Sequence, residues 1–303
     1  MAHFIGIMGE SRERLAALLG KAEKIKSDYK AGETNRQLEG KTLIMLFEKT
    51  STRTRLSFEA GMTQLGGHAI FADFKSSQLK KGETIADTSR VMSRYAQGIM
   101  ARLYRHSDIL EIAANSSVPV INGLTDLEHP CQAMTDLLTM KENGKLGKGR
   151  KFAFVGDCGF NMANSLMLSC AKFGMDVSLV CPESCKPNMD FVNEAAKFAK
   201  ISISHDIAEG VKGADVVYTD VWISMGMEDE AQARLKEYAP YQVNAALLKH
   251  AKKDCIVMHC LPANRGQEIT NEVIDGPNSV VWDQAENRLH FQKALMLDLM
   301  AKT

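Results

Sequence analysis

Short apolar runs rich in β-branched residues alternate with amphipathic stretches along this chain, and the alternation occurs in two successive sets. That pattern constrains the fold strongly: parallel strands need long crossovers, and helices in the crossovers cover both faces of the sheet. The first set reads as strands at 42–47, 68–73, 98–103 and 118–122, with helices between them, as at 53–65 and 84–96. The second reads as strands at 151–157, 176–181, 214–220, 255–260 and 279–283. Between the sets, residues 143–149 are rich in glycine and lysine and mark a boundary near residue 147. The expected architecture is therefore α/β, with two doubly wound parallel-sheet domains, residues 1–147 and 148–284, and an active site in the cleft between them. A last amphipathic stretch, within 285–303, has Leu289, Leu295, Met296 and Leu299 at helical spacing and is expected to pack back on the first domain. A length of 303 residues agrees with two domains, since single cores stop growing near this size.

Composition removes several classes of function. Lys plus Arg and Asp plus Glu each number 37, so no net field draws the chain to nucleic acid. No apolar run reaches the ~20 residues of a membrane span, and no basic-then-apolar leader opens the chain, so a cytoplasmic protein without a membrane partner is expected. Seven scattered cysteines are an odd number and too sparse for a disulfide scaffold, so they read as thiols.

Chemistry concentrates at strand ends. Ser51-Thr-Arg-Thr-Arg55 follows the strand at 42–47 and opens a helix. Ser51 and Thr52 suit an N-cap, whose exposed N–H groups and positive dipole end make an anion site. Thr54 adds a hydroxyl, and Arg53 can grip a phosphate through two parallel hydrogen bonds. Capping alone explains one hydroxyl, not three beside two arginines. Arg53 and Arg55 are two apart and cannot share a helix face, so one of them is expected to meet the ligand. A second element, Asp126-Leu-Glu-His-Pro-Cys-Gln132, precedes an amphipathic helix and holds His129 and Gln132 on one side of its start. A histidine before a proline is, taken alone, more often a surface or capping group.

In the second half, Val155-Gly-Asp-Cys-Gly-Phe-Asn161 invites comparison with a dinucleotide turn, but of the three glycines needed it has the first alone: Gly156 is followed by Cys158 and Asn161. A nicotinamide-dependent dehydrogenase is therefore disfavoured. Asp157 and Asn161 are polar groups able to hold a zwitterion, though an ordinary strand-to-helix turn explains them equally well. Asp220 ends another strand, where a carboxylate can hold a cationic amine and where a turn-forming Asp is also common. Cys260 ends the strand at 255–260; its neighbour His259 is expected on the opposite face, which argues against a zinc pair. Cys181 and Cys185 lack companions in sequence and read as structural thiols, and no metal or cofactor is expected.

Taken together and in this order, these segments resemble the aspartate and ornithine carbamoyltransferase family over nearly the whole chain. Ser51-Thr-Arg-Thr-Arg55 is similar to the family's carbamoyl phosphate loop and His129-Pro-Cys-Gln132 to its His-Pro-x-Gln element. Ser224-Met-Gly226 after an Asp, His259-Cys-Leu-Pro262 and Ala285-Glu-Asn-Arg-Leu-His290 resemble the ornithine branch. The resemblance implies transfer of a carbamoyl group from carbamoyl phosphate to the side-chain amine of L-ornithine, giving citrulline and phosphate in arginine metabolism. It implies a carbamoyl phosphate site of Ser51, Thr52, Arg53, Thr54, Gln78, Arg102, His129, Gln132, Cys260, Leu261 and Arg288. Asn161, Asp220, Ser224 and Met225 would hold ornithine, and Arg53, Arg102, His129, Asp220 and Cys260 would serve the chemistry. Gln78 matches a residue that reaches a neighbouring subunit's site, which implies a homotrimer or a multiple of trimers. Phe160, where the family often has Asn, and Val221, where Thr is frequent, are departures that bear on the acceptor.

Overall fold

The structure, a computed structural model, describes residues 2–76, 78–223 and 231–301. The chain divides into two units, Met1–Leu138 with Glu286–Thr303, and Thr139–Ala285. These dividing points fall inside the helices Pro130–Glu142 and Val281–Met300, whereas the sequence reading sets them at 147 and 284.

In the first unit, β1 (Thr42–Phe47), β2 (His68–Asp73), β3 (Gly98–Arg102) and β4 (Val120–Leu124) form a parallel sheet of order β2-β1-β3-β4 among the described residues. β1, β3 and β4 are buried almost throughout, which is why they read as continuous apolar runs. On one face Ile44, Leu46, Ile99, Ala101 and Val120 pack with Met92, Ile109 and Ile112 from the helices Ile85–Tyr95 and His106–Asn115. The stretch Glu286–Thr303 also belongs to this unit: the Phe291 ring lies 6.3 Å from that of Phe4, and Lys41 donates to the Met300 carbonyl at 2.6 Å.

In the second unit, β5 (Lys151–Val155), β6 (Asp176–Val180), β7 (Ile201–Ser204), β8 (Val216–Thr219) and β9 (Ile256–His259) form a parallel sheet of order β7-β6-β5-β8-β9 among the described residues. Its core gathers Ala153, Val155, Val217 and Val257 with Val243, Ile269 and Val281. Two sequence expectations are corrected here. Residues 279–283 are no strand: Ser279 bridges Val257, and the backbone then turns into the helix Val281–Met300. Conversely, β7 escaped the sequence reading because Ile-Ser-Ile-Ser is a short, half-exposed edge strand without an apolar run.

Candidate active site

Each sheet has one point where the strand order reverses direction, and loops there part to leave a crevice at the carboxyl edge. In the first sheet it lies between β1 and β3, since β2 pairs with one side of β1 and β3 with the other. The loop after β1 leads into the helix Thr52–Gln64, whose N-cap is Ser51: its backbone is extended (φ −163°, ψ 115°) and its Oγ accepts the Thr54 N–H at 3.3 Å. Amides left unbonded at such a helix start, with the positive dipole end, favour an anion.

The side chains around this helix start supply more donors. Thr54 is fully buried, and its Oγ1 accepts from Arg288 Nη2 at 2.9 Å and from Arg102 Nη1 at 3.3 Å. Arg102 ends β3, where pairing to β4 shifts register between Ala101 and Arg102. Arg288 Nη1 donates to Gln132 Oε1, and Gln132 Nε2 donates to Asp136 Oδ1 at 2.8 Å, one helical turn further on. His129 is buried just before Pro130, the first residue of its helix. Burial holds its pKa well below the ordinary histidine value, and the charges of Arg288, Arg102, Lys49 and Arg53 push the same way. Burial and the positive charges of three arginines and Lys49 therefore both favour the neutral form of the His129 ring.

The two arginines of the loop separate as their spacing requires. Arg53 is among the charges felt by His129, whereas Arg55 pairs with Glu59 at 2.9 Å and lies over the Phe71 ring at 4.0 Å. Thr52 is exposed on the first turn. Gln78 is also exposed, at the start of the short turn Gln78–Lys81, and takes no part in the hydrogen bonds around Thr54.

In the second sheet the order reverses between β5 and β8. Gly156 follows β5 with φ 123°, a conformation that disfavours a side chain, and a Cβ there would lie 3.3 Å from Trp222 Nε1. Asp157 is ion-paired with Arg234 and accepts the Gly159 N–H at 3.0 Å. Arg234 also donates to the Trp222 carbonyl at 2.8 Å and sits 5.9 Å from the centre of the Phe160 ring. Asn161 is half-buried at the first position of the helix Asn161–Lys172.

Across the reversal, Asp220 follows β8 and Cys260 follows β9, and Cys260 Sγ donates to Asp220 Oδ1 at 3.0 Å. Val221 N–H donates to the same oxygen at 2.8 Å. Leu261 has φ 56°, a left-handed conformation that costs a leucine about 1 kcal/mol or more. Its N–H donates to His259 Nδ1 at 2.8 Å, so Nε2 carries the proton and faces Glu268 Oε1 at 3.1 Å. Gln284 Oε1 accepts the His259 N–H at 3.0 Å and completes the brace beneath the loop. One consequence was not foreseen from sequence: ligand-type atoms of Asp220, His259 and Cys260 lie within 4.8 Å of one another. Both ring nitrogens of His259 are already engaged by Leu261 and Glu268, so this trio is organised as a hydrogen-bonded loop support. Ser224 and Met225 lie outside the described residues.

Some participants had no motif to announce them. Asp136 is four residues beyond Gln132, a spacing that does place both on one helix face, and Lys49 stands inside the hydroxyl-rich loop. Arg234, Glu268 and Gln284 meet their partners through tertiary packing alone. Cys185 is not isolated either: its Sγ lies 3.7 Å from Asp157 Oδ1.

Fold and site together define a parallel-sheet α/β protein whose first unit presents hydroxyl, amide and guanidinium donors to a small anion, and whose second presents a carboxylate and a thiol at its strand ends. The chain belongs to the aspartate/ornithine carbamoyltransferase family: the family's carbamoyl-P binding domain matches residues 2–142 and its Asp/Orn binding domain residues 148–299. It is 52% identical to the ornithine carbamoyltransferase of Thermococcus kodakarensis over 295 residues, 96% of this chain and 93% of that protein. With the enzyme of that name from Methanothermobacter thermautotrophicus it shares 56% over 281 residues, 90% of this chain and 92% of that protein. The solved structure of ornithine carbamoyltransferase from Pyrococcus furiosus matches with a TM-score of 0.96 at 49% identity, covering 99% of this chain and 97% of that one.

Proposed function

We propose that this chain transfers the carbamoyl group of carbamoyl phosphate to the side-chain amine of L-ornithine, giving L-citrulline and phosphate. The observation that carries the reading is the convergence of Arg102 and Arg288 on the buried Thr54 hydroxyl, beside the capped helix start at Ser51. A phosphorylated, carbonyl-bearing donor needs such an array. In this reading Ser51, Thr52, Arg53 and Thr54 hold the phosphate, and Arg102, His129, Gln132 and Arg288 hold the carbamoyl end, with Leu261 and Cys260 completing that site. Asn161, Asp220, Ser224 and Met225 hold ornithine.

The neutral amine attacks the carbonyl carbon, and a new C–N bond forms as negative charge grows on the carbonyl oxygen. Arginine N–H groups directed at that oxygen stabilise it more than the flat ground state, which lowers the barrier. Breaking the C–O bond releases phosphate, which takes the proton lost by the amine. Asp220, held by Cys260 and Val221, orients the amine rather than adding to it covalently. The chain works as a homotrimer or a multiple of trimers: β2 is an edge strand with Ile70 43% and Phe71 37% exposed, and Gln78 follows it, so a second copy has an apolar edge to cover. A cytoplasmic setting fits seven cysteines of which none is in a disulfide.

The test is a coupled measurement of citrulline and phosphate with purified protein, carbamoyl phosphate and a panel of amines. Ornithine should be carbamoylated far faster than putrescine, lysine or aspartate. Preference for another amine would overturn the acceptor assignment, and absence of any carbamoylated product would overturn the reading as a whole.

A further inference from the structure

The last helix, Val281–Met300, comes close to the helix Thr52–Gln64 because Gly61 has no side chain: a Cβ there would lie 2.9 Å from Met296 Cε and 3.3 Å from Lys293 Cγ. One turn before Gly61 stands Ser57, and the fully buried Gln292 faces it from the last helix. Ser57 Oγ donates to the Arg53 carbonyl at 2.6 Å, so toward Gln292 it offers lone pairs. The Gln292 nitrogen is therefore the donor to Ser57 Oγ, at 2.5 Å, and the amide oxygen turns toward Arg288, accepting from Nε at 3.2 Å and Nη2 at 3.1 Å. Arg288 and Gln292 are four residues apart and share a helix face.

We propose that Gln292 is a positioning residue for the carbamoyl transfer: it fixes the plane of the Arg288 guanidinium and ties it to the first turn of the anion-binding helix. This rests on the function proposed above, in which Arg288 holds the carbamoyl end. Arg288 has a side-chain acceptor at each nitrogen: Gln132 at Nη1, Thr54 at Nη2 and Gln292 at Nε. Two acceptors at the tips still let a planar group rock about the line through them. A third at Nε, away from that line, removes the motion and holds the donors in one orientation. The path from Gln292 through Ser57 to the Arg53 carbonyl also reaches the backbone that carries Arg53, so guanidinium and helix start keep one spacing. Gln292 is fully buried and acts through Arg288, which is itself 3% exposed. A leucine at 292 would fill similar space yet set carbon against a buried guanidinium N–H that water is poorly placed to satisfy.

The test is a double-mutant cycle on the full chain. Gln292→Leu should lower kcat/KM for carbamoyl phosphate about tenfold, the order of one hydrogen bond to a charged group, with the KM for ornithine within about twofold of the parent. In an Arg288→Lys chain, which has no guanidinium to hold, the same change should cost less than about twofold. A residue that merely supports packing would cost the same in both backgrounds, and that additivity would overturn the proposed role. Crystal structures of the parent and of Gln292→Leu give a readout independent of turnover: Arg288 should leave its place between Thr54 and Gln132 in the variant, or occupy more than one position there. A single guanidinium in the parental place would equally overturn the role. Should Gln292→Leu fail to fold by circular dichroism, Ser57→Ala, which removes the hydroxyl that orients the amide, goes through the same cycle and the same structure determination. A parent that forms no carbamoylated product would refute the proposed function alone, and the position of Arg288 in the two crystal structures would then decide the role of Gln292.

Discussion

Replacing Thr54 by valine isolates the part that one oxygen atom takes in arranging the anion site. The two side chains have the same shape, and Thr54 is wholly buried, so packing and net charge stay as they are. What disappears is the acceptor for Arg288 at 2.9 Å and Arg102 at 3.3 Å. The longer contact is outside the optimal range and contributes less, so one good bond to a charged donor dominates the loss, about 2 kcal/mol. If that energy orients the guanidinium groups for the transition state, kcat/KM for carbamoyl phosphate should fall roughly 30-fold, at about 1.4 kcal/mol per tenfold. Taking this acceptor away from two guanidinium groups at a buried site should also lower the melting temperature by a few degrees. Initial rates of citrulline formation measure the first effect and calorimetry the second. Thr54→Ser keeps the acceptor and should remain within a few-fold of the parent. A valine variant within about threefold of the parent would show that Thr54 does not organise the arginines, contrary to the reasoning from its two bonds.

Arg53→Ala should reduce turnover by a hundredfold or more, the usual order for losing a charged donor to a transition state, while Arg55→Ala, already paired with Glu59, should change it less than threefold; equal effects would contradict their separation. His129 has a pKa below its unfolded value, so below the ordinary histidine pKa the unfolded chain binds a proton that the folded chain refuses; stability must be lost as pH falls through that range. Denaturant titrations in phosphate-free buffer should show this contribution, at most ~1.4 kcal/mol per pH unit, vanish in His129→Gln; an identical pH dependence in both proteins would count against it. Cys260→Ala removes the donor to Asp220 and should raise the KM for ornithine several-fold with the fold retained, and unchanged steady-state constants would take Cys260 out of the acceptor site.

The sequence revealed most where local chemistry and fold coincide. β1, β3 and β5 are buried on both faces and so read as unbroken apolar runs, and Ser51 looks like a helix cap because its Oγ is one. β7 was hidden because an edge strand needs little apolar surface, and residues 279–283 misled because Val281 is a core residue of a helix start while Trp282 is 61% exposed. Long-range pairings are a different matter: Arg288 reaches Thr54 across 234 residues, and no local pattern encodes that distance. His259 illustrates the limit in another way. On a regular strand it should face away from Cys260, but β9 ends at His259 and the left-handed Leu261 folds the following backbone onto its ring.

The meeting of Arg102 and Arg288 at a single hydroxyl means that two like charges are held side by side before any substrate arrives. An extended chain has no such crowding, so folding itself creates the repulsion and a polyvalent anion relieves it. Simple multivalent anions should therefore act as stabilisers of the folded protein in proportion to the logarithm of their concentration once the site fills. On this view the donor's phosphate is more than a leaving group: it adds negative charge where the folded first unit gathers its arginines.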